Sequence, residues 1–136
     1  MSVVPRLDRG STMGNARRER SPPGRQVRVR NKAILIVRAE VADPSDRPLF
    51  DEWYGTEHLP EAAAVFGAER AWRSWSRLEP SVHYAFYEFD DVGAALAAVR
   101  SAAIASLVSR FDDAWCDRVT RTRDVVETVQ DLQPPG

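Results

Sequence analysis

Val82-His83-Tyr84-Ala85-Phe86-Tyr87-Glu88-Phe89 is the stretch whose reading decides the fold. It is nearly all aromatic or β-favouring residues, the composition of a strand that packs on a pleated surface. Just before it, Leu78-Glu79-Pro80-Ser81 has turn chemistry, and Arg70 to Arg77 reads as a further strand through Trp72 and Trp75. Three residues apart, those two Trp fall on opposite faces. The short turn makes the pair an antiparallel hairpin. Just after it, Asp90 or Asp91 caps a long alanine-rich helix in which Leu96, Val99, Ala103, Leu107, Phe111 and Trp115 recur at helical spacing, with Asp112-Asp113 expected to mark a break near its end.

Further out, Ala33 to Val41 is aliphatic and β-branched and predicts a first strand. Ala33, Leu35, Val37 and Ala39 share one face; Ile34, Ile36, Arg38 and Glu40 share the other. Asp43-Pro44-Ser45-Asp46 ends it and offers Ser45 or Asp46 as a helix cap. Pro48 to Phe66 is helical, with Leu49, Phe50, Trp53 and Tyr54 as its apolar stripe. Pro60 is expected to start a second short helix that Gly67 ends. Arg118 to Val129 supplies the last strand.

The order β-α-β-β-α-β predicts an α+β, ferredoxin-like domain over residues 32–132, with a four-stranded antiparallel sheet and two main helices. Two helices cover one sheet face. The other keeps Ile34, Ile36 and part of the aromatic set, so a second copy is expected to close over it as a homodimeric barrel.

Residues 1–31 carry eight arginines against Asp8 and Glu19, a balance of +6, whereas the remainder carries −7. This basic segment lacks aromatic residues and apolar periodicity, and a disordered tail is expected. Met13 and the region near Lys32 are alternative translation starts. The acidic remainder is a poor nucleic-acid surface. With Cys116 alone there is no disulfide framework. No apolar run approaches the roughly 18 residues of a membrane span. Together these point to a cytoplasmic protein with no nucleic-acid or membrane partner.

Phe50-Asp51-Glu52-Trp53-Tyr54-Gly55-Thr56-Glu57-His58-Leu59-Pro60-Glu61, then Phe66-Gly67 and a strand with Arg and Trp, resembles the first helix of the dimeric α/β-barrel superfamily. It is similar in particular to the EthD-like branch, where an aromatic-rich helix runs into a His-x-Pro turn. Tyr84 to Asp90 matches the third strand in style. The resemblance covers about residues 33–130, although Phe66-Gly67-Ala68 lacks the fuller Pro-Gly signature. It implies a fold shared by cofactor-free monooxygenases, cyclases, isomerases, small-molecule sensors and haem enzymes. Only His58 carries over to a position used near the cavity.

His58 is the candidate general acid/base, since imidazole moves protons near neutral pH. Asp51, Tyr54 and His58 lie at i, i+3 and i+7, so Tyr54 is a candidate partner; the plain alternative is a histidine that caps the kink before Pro60. Arg38 and Glu88 are candidates to bind a polar substituent, or else structural ion pairs, and Glu40 shares their face. Trp72, Trp75, Tyr84, Phe86 and Tyr87 are candidates to line a pocket for a small hydrophobic or aromatic ligand, or else core or interface. His83 reads as a satisfied core or interface histidine. No metal is expected, because His58, His83 and Cys116 share no ligand spacing, and no residue calls for a cofactor. Two readings stand open: a cofactor-independent oxygenase, cyclase or isomerase, and a non-catalytic ligand-binding or interaction module.

Overall fold

The structure, a computed structural model, describes residues 31–135, so the expected tail falls outside it save for Asn31. Strand β1 (Ala33–Val41) leads through a 3-10 turn into helix α1 (Arg47–Trp53). A π-helical turn (Tyr54–His58) joins it to α2 (Leu59–Phe66). Strands β2 (Arg70–Trp75) and β3 (Val82–Phe89) follow, then α3 (Val92–Arg100), α4 (Ile104–Trp115) and β4 (Val119–Glu127). The four strands form one antiparallel sheet in the order β2-β3-β1-β4. This is the split βαβ arrangement, an α+β ferredoxin-like fold.

Strand chemistry sets the two faces. On β1 the side chains of Ala33, Leu35, Ala39 and Val41 are wholly buried under the helices. Register carries the alternation across: Ala39 pairs with His83, Val37 with Ala85 and Leu35 with Tyr87, so those residues also face the helices. Ile34, Ile36 and Arg38 pair with Glu88, Phe86 and Tyr84 on the open face. Trp72 lies opposite Phe86, and Trp75 opposite His83, so the two tryptophans point to opposite sides.

The local signals sit where capping chemistry wants them. Asp91 accepts a hydrogen bond from the Ala94 backbone N–H at 2.8 Å and caps α3. Gly67 ends α2 at φ +68°, the left-handed conformation that a Cβ would disfavour. Ser76 Oγ accepts from the backbone of Leu78 and Glu79 and folds the β2–β3 turn.

Two expectations are corrected. The alanine-rich helix breaks at Ser101–Ala103, bending by 62°, while Asp112 and Asp113 sit inside α4. Ser101 is extended, and its side chain accepts from the Ala103 N–H at 3.1 Å, so the hydroxyl restarts the chain as a local cap. Leu49 is 59 % exposed and takes no part in the core; Phe50 is wholly buried instead. The shared stripe therefore narrows to Phe50, Tyr54 and His58, spaced four residues apart.

Phe50 touches six aromatic rings: Trp53, Tyr54, Trp75, His83, Phe111 and Trp115. Phe50→Ala is expected to cost about 3–5 kcal/mol, the range for emptying a large buried aromatic site. Trp53→Ala should cost less, because Trp53 is only half-buried. Urea denaturation of both variants checks the order.

Candidate functional site

The site begins with Pro60. In a regular helix its ring would clash with the carbonyl four residues back, and it has no N–H to give. The chain widens instead: the Leu59 N–H bonds to the Tyr54 carbonyl five residues back, a π-turn of the kind common at functional sites. Gly55 within it lets the Arg73 side chain lie close against the turn. A Cβ there would meet the Arg73 guanidinium at 2.7 Å. Arg73 donates to Asp51 Oδ1 at 2.8 Å, and Trp75 Nε1 donates to the same oxygen at 2.8 Å. That oxygen ties α1 to β2 and fixes the turn over the sheet, and the two hydrogen bonds hold the Asp51 carboxyl below the usual carboxylate range.

The turn carries His58 into the interior, where it is buried. Its ring stacks on Trp53 at 4.8 Å, nearly parallel, and meets Tyr54 and Phe111 edge-on. Its Nδ1 has no hydrogen-bond partner. Tyr54 does not bridge Asp51 to His58; its hydroxyl lies 3.2 Å from the hydroxyl of Tyr87. Val37, Tyr54, His58, Phe66, Tyr87 and Arg121 line an inner cavity of about 30 Å³, room for one water. Ile104, Leu107 and Val108 of α4 close one side and Arg123 completes the lining. An outer cleft of about 280 Å³ runs between Trp53, Glu57, Glu61, Arg110 and Asp113, and His58 lines that cleft as well. His58 thus forms the wall between the two.

Electrostatics follow from burial. Desolvation, with Arg121 and Arg110 nearby, lowers the His58 pKa to about 4. His83 falls to about 4, first by desolvation and then by Arg73, with Asp51 opposing. Desolvation raises Tyr54 to about 12, the hydrogen bond shared with Tyr87 opposing, and raises Tyr87 too. At neutral pH the site therefore holds a neutral imidazole and two protonated phenols. Neutral His58 can accept a proton, the phenol pair can donate one hydrogen bond, and the Arg121 guanidinium supplies positive charge.

Five further sequence candidates lie on the opposite face of the sheet. Trp72 stacks on Phe86 at 5.2 Å, and Phe86 on Tyr84 at 6.1 Å. Arg38 pairs with Glu79 at 3.6 Å, and Glu88 with Arg70 at 3.5 Å. The structure brings Tyr54, His58 and Tyr87 together, packs Trp75 on the core beside His83, and sets Arg38, Trp72, Tyr84, Phe86 and Glu88 apart from them. His83 is in the core, 3.4 Å from Arg73 through Nε2 and with Nδ1 unpartnered, so it is not fully satisfied. Arg121 is the site residue that the sequence reading missed; as one of two arginines on β4 it gave no signal. Among the described residues no cluster of three or more His, Cys, Asp or Glu could hold a metal.

With this geometry in hand, the solved structures settle the architecture. The chain is similar to the cofactor-independent oxygenase SnoaB from Streptomyces nogalater (N63A mutant): 15 % identity, 76 % of this chain and 98 % of that one, TM-score 0.54. The chain has a ferredoxin-like fold. An EthD family protein from Bacillus halodurans is similar at 19 % identity over 72 % of this chain and 99 % of that one, TM-score 0.56. A Nitrosomonas europaea protein of unknown function is similar at 23 % identity over 78 % and 97 %, TM-score 0.52. At these identities the likeness is one of fold. No family model and no curated protein matches the chain. Among the described residues no single helix is long and apolar enough to cross a membrane.

Because His58 and His83 are held neutral, protonating them opposes folding. Their folded pKa values lie below the unfolded value of 6.5, so the unfolded chain binds more protons at mildly acid pH. Stability is expected to hold above pH 6.5 and to be lost as the pH falls from there towards 4. Urea midpoints across that window check it, and a flat profile would show that both imidazoles protonate in place.

Proposed function

We propose that the chain binds a small hydrophobic or aromatic molecule between the sheet and α4, and acts on it as a cofactor-independent oxygenase, cyclase or isomerase with His58 as general acid/base. The observation that carries this is the setting of His58: buried, neutral, unpartnered at Nδ1, and shared by the inner cavity and the outer cleft. A buried polar atom without a partner costs about 1–3 kcal/mol, and a cavity wall is where a substrate atom can satisfy it. Trp115 Nε1 and His83 Nδ1 are also unpartnered, but neither lines the cavity. The fold of an oxygenase that needs no cofactor supports the reading by analogy. A ring-sized substrate exceeds the inner cavity, so admission requires α4 to move outward, and the break at Ser101–Ala103 is where it hinges.

The second reading, a non-catalytic ligand-binding or interaction module, is favoured by the small size of that cavity. A thermal-shift panel of hydroxylated aromatics separates the two. Compounds that raise the melting temperature of the wild type should be turned over by it, whereas His58→Gln should bind them without turnover. A panel in which nothing shifts the melting temperature sinks the enzyme reading.

We also infer a homodimer that closes the barrel over the open face. Ile34, Ile36, Trp72, Tyr84 and Phe86 are each only partly covered there. Leaving such area wet forfeits about 25 cal/mol for each Å², and a two-fold pairing of identical faces is the commonest remedy. In that dimer Arg38, Trp72, Tyr84, Phe86 and Glu88 line the interior between the sheets, while His58 stays within one chain. Ile36→Asp should yield monomer or unfolded chain by light scattering. A wild-type monomer at micromolar concentration would refute the dimer and leave the His58 cavity untouched.

A further inference from the structure

The charge around the inner cavity has one sign. Arg121 and Arg123 stand two residues apart on β4, opposite Ala39 and Val37, and so share the helix-side face. Both line the cavity, and no carboxylate does. Arg121 is well buried, its side chain 18 % exposed, with its guanidinium 3.8 Å from the Phe111 ring centroid. Among the described residues its one ion pair is with Asp112 on α4, a 63 % exposed carboxylate 3.6 Å away, outside the cavity lining. Among the described residues Arg123 is exposed and makes no ion pair. The other titratable groups facing the space, Tyr54, Tyr87 and His58, are all neutral at pH 7.

We propose that the cavity takes a small hydrophobic carboxylate, held at the mouth by Arg121 and Arg123 with its apolar body towards Phe66, Tyr54 and His58. This rests on the reading above and names its substrate class. A guanidinium presents a planar fork that matches a carboxylate, and one already stripped of most of its water gains more from an anion than an exposed one. β4 is an edge strand, so the positive mouth faces incoming ligand and draws anions. Asp112 then acts as a stand-in partner that the ligand's carboxylate displaces.

The test uses the full chain with phenylacetate and its neutral isostere phenylacetamide, in titration calorimetry at low and high salt. Phenylacetate should bind about tenfold tighter or more, as charge-assisted hydrogen bonds are stronger than neutral ones, and salt should erode the difference. Arg121→Gln should abolish the preference, Arg123→Gln should reduce it, and Asp112→Asn should tighten phenylacetate alone. If Arg121→Gln fails to fold, the Arg123→Gln and Asp112→Asn arms decide. Equal binding of the two probes, or looser phenylacetate binding in Asp112→Asn, overturns the carboxylate assignment while the cavity stands. If neither probe binds but the hydroxylated aromatics do, again only this assignment falls. If nothing binds, both readings fall.

Discussion

The Phe50 ring is the contact on which the rest of the domain depends. It is wholly buried and meets rings from its own helical arm, from β2 and β3 and from α4. Tilted and edge-on contacts of this kind add to plain area burial, and because they come from four elements they fix the distance between sheet and helices at one point. A close-packed interior cannot shift there without moving every neighbour. The other end of α4, with Ile104, Leu107 and Val108, lines the inner cavity.

From that anchor the position of His58 follows. Phe50, Tyr54 and His58 are successive four-residue steps along one arm, so fixing the first aims the others, and the π-turn forced by Pro60 lets the arm pass the proline without leaving the sheet. Arg73 lies across the same turn, bonded to Asp51 and pressed against Gly55. The histidine is therefore held by packing rather than by hydrogen bonds, which leaves its nitrogen free and its proton affinity low. Burial keeps this imidazole unprotonated near neutrality.

The sheet separates two tasks. Its helix-side face builds the cavity, with Tyr87, Val37 and Arg121 pointing in. Its open face stacks Trp72, Phe86 and Tyr84 in a flat aromatic patch with ion pairs at its margins. Strand alternation makes this division automatic, since adjacent residues on β3 serve opposite sides. A change at Phe86 and a change at Tyr87 should thus be read on different properties, association for the first and the cavity for the second.

Period-two patterning and turn chemistry alone determined the strands: β1 and β3 run from Ala33 to Val41 and from Val82 to Phe89, as the sequence predicts, because aliphatic and aromatic runs bounded by Asp, Pro and Ser leave few alternatives. The Gly67 stop, the Asp91 cap and the opposite faces of Trp72 and Trp75 were legible for the same reason, each being set within a few residues. His58 was legible as a candidate through its His-x-Pro setting. The helix break at Ser101 was not, since one serine in an alanine-rich run is a weak signal, even though its hydroxyl accepts from the Ala103 N–H at the break. Leu49 looked like core because a helical stripe has width, and only the sheet's position decides which edge of the stripe is covered. The grouping of His58 with Tyr87 and Arg121 joins three elements distant in sequence. It is a fact of register and packing depth, which no spacing along the chain encodes.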